Sequence, residues 1–68
     1  MKIVVKYNKT GLYINNKIET FELQDNYIKI IFPDGSKPIE FNNVHYVEID
    51  GRLLYESNDV IDNNGWNV

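Results

Sequence analysis

The chain has 68 residues, a formal net charge of −3 and no cysteine. This length suits one domain with a thin stability margin, and the absence of cysteine excludes disulfides and thiolate metal sites. The seven basic residues are scattered, and Arg52 is the only arginine, which argues against an electrostatic surface for DNA or RNA. The abundance of isoleucine, lysine and asparagine is typical of proteins from AT-rich genomes, such as those of phages and low-GC bacteria.

β-Branched and aromatic residues are dense, and turn signals recur about every eight to twelve residues without any helical period. We therefore expect an all-β fold: one small antiparallel meander, an SH3-like barrel or a strongly curled sheet of about five to seven short strands. The predicted strands cover residues 3–7, 12–14, 18–23, 27–32, 37–41, 44–49 and 52–56. We expect one domain over residues 1–56 and a polar, acidic tail over residues 57–68.

The centre of the chain predicts a register. A two-residue turn at 25–26 and a four-residue loop at 33–36 align three strands so that their apolar residues share one face. These residues are Phe21, Leu23, Ile28, Ile30, Ile39 and Phe41. The opposite face then carries Lys29 between Glu22 and Glu40. A slip of one residue would expose the whole apolar set, so burial decides this register.

The connection between the second and third predicted strands leaves two alternatives. A three-residue loop at 15–17 aligns Ile14 with Ile18, and a two-residue loop suits the same turn residues equally well. Both alternatives treat the two strands as a hairpin.

The last hairpin has apolar residues on both faces. The Asp50-Gly51 pair is a strong signal for a two-residue turn, which predicts Val47 opposite Leu54 and Tyr46 opposite Tyr55. One face would then hold Val47, Ile49 and Leu54, and the other Val44, Tyr46, Leu53 and Tyr55. Either the fold covers both faces, or one of them meets a partner.

The polar residues do not form a catalytic constellation. His45 is the only histidine, and the two serines, Ser36 and Ser57, fall in predicted loops without a nucleophile-elbow pattern. By alternation His45 shares a face with Val47 and Ile49, which indicates a packed or rim residue. We expect no enzyme activity, no cofactor and no metal site.

The aromatic residues are the remaining candidates for function. Tyrosine and tryptophan are frequent anchors of protein interfaces and need no basic field. We expect a non-catalytic protein–protein interaction module that binds an unknown protein partner or a second copy of itself through Tyr46, Leu53, Tyr55 and Trp66. Trp66 either packs back onto the sheet or is an exposed anchor. A small nucleic-acid-binding β-barrel is the alternative, and the charge disfavours it.

The chain starts with a strand-like run and contains neither a signal-peptide pattern nor an apolar run of about 20 residues, the length of a membrane helix. We therefore expect a cytoplasmic protein that is not bound to a membrane.

Overall fold

The structure, a computed structural model, describes residues 1–57, and seven short β-strands account for most of them. The strands are β1 (Ile3–Tyr7), β2 (Gly11–Asn15), β3 (Thr20–Gln24), β4 (Tyr27–Ile31), β5 (Ile39–Asn42), β6 (Val44–Ile49) and β7 (Arg52–Glu56). No helix occurs in this range, so the expected all-β class is confirmed.

The strands form two antiparallel sheets that are not closed into a barrel. One sheet has four strands in the order β2-β1-β6-β7, and the other has three in the order β3-β4-β5. The three-stranded sheet is a simple meander. In the four-stranded sheet β1 is central, because it pairs with its neighbour β2 on one side and with the distant β6 on the other.

The predicted register of the three-stranded sheet is confirmed. Lys29 pairs with Glu22 on β3 and with Glu40 on β5, and Ile28 and Ile30 are fully buried on the opposite face. The turn at 25–26 is present, with Asn26 in the left-handed region at φ 65°, which asparagine tolerates well. β5 begins later than predicted, after Pro38, because proline has no N–H to donate to a neighbouring strand.

The predicted hairpin between the second and third strands is wrong. β2 pairs with β1, and β3 belongs to the other sheet. The segment between them crosses from one sheet to the other, and the Asn15 side chain turns it by accepting a hydrogen bond from the Lys17 N–H at 2.8 Å. Ile18 is fully buried in this crossing and donates its N–H to the carbonyl of Met1 at 3.1 Å.

The predicted pairs of the last hairpin are also wrong beyond the turn. Glu48 pairs with Leu53 as expected, but Val47 then pairs with Tyr55, so Leu54 is an extra residue in β7. Such a β-bulge reverses the alternation of the residues that follow it. Tyr46 therefore lies opposite Glu56 rather than opposite Tyr55.

A second irregularity lies at the start of β6. Lys6 pairs with Tyr46 and Tyr7 pairs with Val44, so His45 is an extra residue between them. As a result Val44 is fully buried, although simple alternation places it on the face of Tyr46. His45 remains half-buried at the rim.

The core lies between the two sheets. Its fully buried apolar residues among those described are Ile3, Val5, Ile18, Ile28, Ile30, Val44 and Val47. Removing a side chain of this size from water contributes about 1.5–3 kcal/mol. The rings of Tyr7 and Tyr13 in the four-stranded sheet pack on Phe41 of the other sheet, with centroids 4.5 and 5.1 Å apart. These contacts hold the sheets face to face.

Candidate functional site

The candidate site is the side of the four-stranded sheet that points away from the core, which we call the outer face. Ile3 and Val5 are fully buried, so alternation along β1 turns Val4 and Lys6 outward. The pairing of the other strands extends this face on both sides. Its members are Val4, Lys6, Leu12, Ile14, Tyr46, Glu48, Leu53 and Glu56.

These side chains form two rows across the four strands. One row runs Ile14, Val4, Glu48, Leu53, and the other runs Leu12, Lys6, Tyr46, Glu56. The apolar residues on the edge strands are the most open: Leu12 is 53% exposed, Ile14 55% and Leu53 56%. The four residues on the central strands are half-buried. Three of the four residues at its margins are therefore apolar and the fourth is Glu56, while a lysine and a glutamate lie at its centre.

The three-stranded sheet presents a different outward side. It carries the Glu22, Lys29 and Glu40 row, and next to this row the Tyr27 hydroxyl donates to Glu40 Oε1 at 2.9 Å. Partial burial, together with this hydrogen bond and the charge of Glu40, raises the pKa of Tyr27 above its usual value. This side is polar. The exposed large apolar residues of the strands therefore all lie in the four-stranded sheet.

The structure separates the binding residues that the sequence predicts. Tyr46 and Leu53 lie together on the outer face. Tyr55 lies on the inner side, half-buried, where its hydroxyl accepts the Asn26 N–H at 2.7 Å and donates to Asp25 Oδ1 at 3.0 Å. Tyr55 therefore joins β7 to the turn between β3 and β4. Trp66 and the rest of the predicted tail beyond Ser57 lie outside the described residues.

Sequence reasoning missed the half of the outer face that β1 and β2 supply. Leu12 and Ile14 alternate with Gly11 and Tyr13, which is the pattern of a strand with two distinct faces. Val4 lies within a continuous apolar run, which is typical of a strand covered on both sides. Only the pairing of β1 with β6 brings these residues beside Tyr46 and Leu53.

The described residues contain no group of three or more histidine, aspartate or glutamate side chains arranged to hold a metal ion. Residues 1–57 also contain no helix with the length and apolar character needed to cross a membrane. Comparisons with models of protein families, with curated proteins and with solved structures found no match.

Proposed function

We propose that this chain is a non-catalytic protein-interaction module, and that its outer face binds the outer face of a second copy of the chain. The observation that carries the proposal is the exposure of Leu12, Ile14 and Leu53, each more than half open on one side of one sheet. Apolar residues that gather on one face of a soluble domain usually mark an interaction surface. A domain of this size also has little chain with which to cover a second apolar face.

The charges on the outer face favour a second copy as the partner. Lys6 and Glu48 are diagonal neighbours at its centre, one on β1 and the other on β6. A two-fold axis along the other diagonal, from Val4 to Tyr46, brings Lys6 of each copy to Glu48 of the other. The strands of the two copies then cross at near right angles, one of the two common ways in which sheets pack. The centre of the face is thus complementary to itself in charge, as a two-fold interface must be.

The size of the face sets the strength of the association. Four strands at a spacing of about 4.8 Å and five residues at about 3.4 Å each span roughly 19 by 17 Å. This is about 320 Å² in projection, well below the roughly 800 Å² that each partner buries in a standard stable interface. We therefore expect a dimer with a dissociation constant in the micromolar range or weaker. The same proposal places the chain in the cytoplasm, in an accessory or phage-type role, in keeping with its lack of cysteine and its composition.

Sedimentation equilibrium over a wide concentration range tests the proposal. The wild-type chain should change from monomer to dimer as its concentration rises. The variant K6E should weaken the dimer, because it places two carboxylates together at two symmetry-related contacts. Exposed ion pairs contribute about 0.2–1 kcal/mol each, so losing two weakens the dimer roughly two- to thirtyfold. E48K should act in the same way, and the double variant K6E/E48K should restore the dimer.

K29E provides the matched control. Lys29 also lies between carboxylates on a sheet surface, but on the polar side of the molecule, so its reversal should leave the dimer constant unchanged. A wild-type chain that stays monomeric at millimolar concentration would refute self-association through this face. Equal weakening by K6E and K29E would show that net charge, and not the outer face, governs the assembly.

A further inference from the structure

Three turns meet at one end of the molecule and line an open cleft of about 250 Å³. The turns are those that follow β1, β3 and β5, and each places an asparagine in the left-handed backbone region. The cleft is lined by Asn8, Lys9, Asn26, Asn43 and His45. None of these residues is acidic, although the chain as a whole carries a net charge of −3.

Hydrogen bonds between the turns hold the walls of the cleft in place. The Asn8 N–H donates to the carbonyl of Asn43 at 2.8 Å, and the Asn43 side-chain amide donates to Asn8 Oδ1 at 3.2 Å. The Asn26 carbonyl accepts the N–H of Val44 at 3.4 Å, which connects the turn after β3 to the start of β6. Because the two sheets both contribute, the lining is set by the fold and not by one mobile loop.

His45 also lines this cleft. It is the extra residue that the irregularity in β6 displaces from the sheet, and its Nδ1 is buried without a hydrogen-bond partner among the described residues. Buried polar atoms in proteins nearly always have a partner, and a bulge that re-aims a side chain often lies beside a binding site. Among the described residues no group fixes the tautomer at Nδ1, so the neutral ring can carry its one N–H at either nitrogen.

Two other depressions on the described surface lack this character. Near Lys17 the lining includes both Glu19 and Asp34, and near Arg52 it includes Asp50. In both places a carboxylate of the protein competes with a bound anion for the lysine or arginine side chain. At the turn cleft, Lys9 and His45 face no acidic neighbour in the lining, and the asparagine amides supply further donors from three directions.

We propose that the turn cleft binds a phosphate group, either as free phosphate or as a phosphomonoester. Donors that converge from three turns suit a tetrahedral oxyanion, whereas a planar carboxylate is best matched by the bidentate fork of an arginine. The only arginine, Arg52, lies elsewhere. A volume of about 250 Å³ equals that of roughly eight water molecules, which is enough for one phosphate group and part of its ester. This site is separate from the outer face, so it does not depend on the proposed dimer.

Titration of the ¹⁵N-labelled full chain with inorganic phosphate at constant ionic strength tests the proposal. We expect saturable shifts in the amide signals of Asn8, Lys9, Asn26, Asn43 and His45, with a dissociation constant of about 1 mM. Acetate and chloride at the same concentrations should shift these signals weakly and without saturation. Glycerol phosphate should bind at the same signals if the site takes the group as an ester, and binding of free phosphate alone would restrict the ligand to the free ion.

Two variants locate the site without disturbing the backbone. K9A removes the exposed ammonium and should weaken phosphate binding about fivefold or more, whereas K17A, an exposed lysine beside carboxylates, should have no effect. N26G removes a carboxamide but keeps the left-handed turn, which glycine adopts freely, and should weaken binding about threefold. Shifts spread over all lysines, equal affinity for acetate, or equal loss in K9A and K17A would each overturn the assignment.

Discussion

Replacing Gly11 with alanine should destabilise the fold, because the ring of Tyr7 lies across the glycine. The two residues are cross-strand partners in β1 and β2. A Cβ at position 11 would lie 2.5 Å from Cζ and 2.7 Å from Cδ2 of Tyr7, well inside van der Waals contact. The ring cannot simply move away, since it packs on Phe41 of the other sheet at a centroid distance of 4.5 Å. The clash must therefore disturb a contact that joins the two sheets.

The magnitude follows from two opposing effects. Inserting a methyl group into a packed site costs about 1–3 kcal/mol, and replacing a strand glycine with alanine recovers about 0.5–1 kcal/mol of conformational entropy. The difference spans about 0–2.5 kcal/mol. Because the ring is held against Phe41, we expect a net loss of about 1–2 kcal/mol, in the upper part of this range. A domain of this length has a free energy of unfolding of roughly 3–10 kcal/mol. Because 1 kcal/mol shifts the Tm of a small domain by about 4–8 °C, we expect G11A to lower the Tm by about 5–15 °C.

A double-mutant cycle isolates the contact. Urea denaturation followed by far-UV circular dichroism gives the free energy of unfolding for wild type, G11A, Y7L and the double variant. Leucine has no ring over position 11, so G11A should cost little or should stabilise the protein in the Y7L background. An equal cost in both backgrounds would refute the reasoning, and so would a G11A variant as stable as the wild type.

Two further predictions concern tyrosine hydroxyls. Y55F removes the hydrogen bonds to Asn26 and Asp25 and should lower the free energy of unfolding by about 1 kcal/mol. The dimer dissociation constant from sedimentation should stay unchanged. A weaker dimer at unchanged stability would instead place Tyr55 in the interface. The pKa of Tyr27 is raised, so its contribution to stability is complete below the unfolded pKa of about 10 and is lost as the pH rises through the higher folded value. A titration followed through the Tyr27 ring signals should show this raised pKa, which E40Q moves back toward the ordinary value, and an identical Tyr27 titration in E40Q would contradict the assignment.

The three-stranded sheet could be predicted because its strands have one apolar and one polar side. With Ile28 and Ile30 on one side and Lys29 on the other, only one register buries the apolar set. The four-stranded sheet lacks this constraint, since Val4 and Val5 are both apolar and either side of β1 could face the core. Local patterns also cannot show that β1 pairs with β6, because Val4 and its partner Glu48 are far apart in the sequence and no turn signal joins them.

The two irregularities account for the remaining errors. His45 and Leu54 are ordinary strand residues by composition. Whether a bulge forms at either residue depends on which side of the sheet the following side chain must face, and the partner strand determines that side. The shift at Leu54 turns Tyr55 inward to reach the turn of the other sheet. The outward placement of Tyr46 and Leu53 could be predicted because the last hairpin has too many apolar residues for one face. The converging asparagines of the cleft were visible only as separate turn signals.

The pairing of β1 with β6 has a consequence for synthesis of the chain. β1 is made first among the strands, but the strand that completes its second edge ends at Ile49. At about 5–20 residues per second, a ribosome needs roughly two to eight seconds to translate the residues between them. The meander of β3, β4 and β5 is made in this interval and can form from neighbouring segments alone. Until β6 emerges, one backbone edge of β1 is open, and nascent chains on neighbouring ribosomes could pair with it.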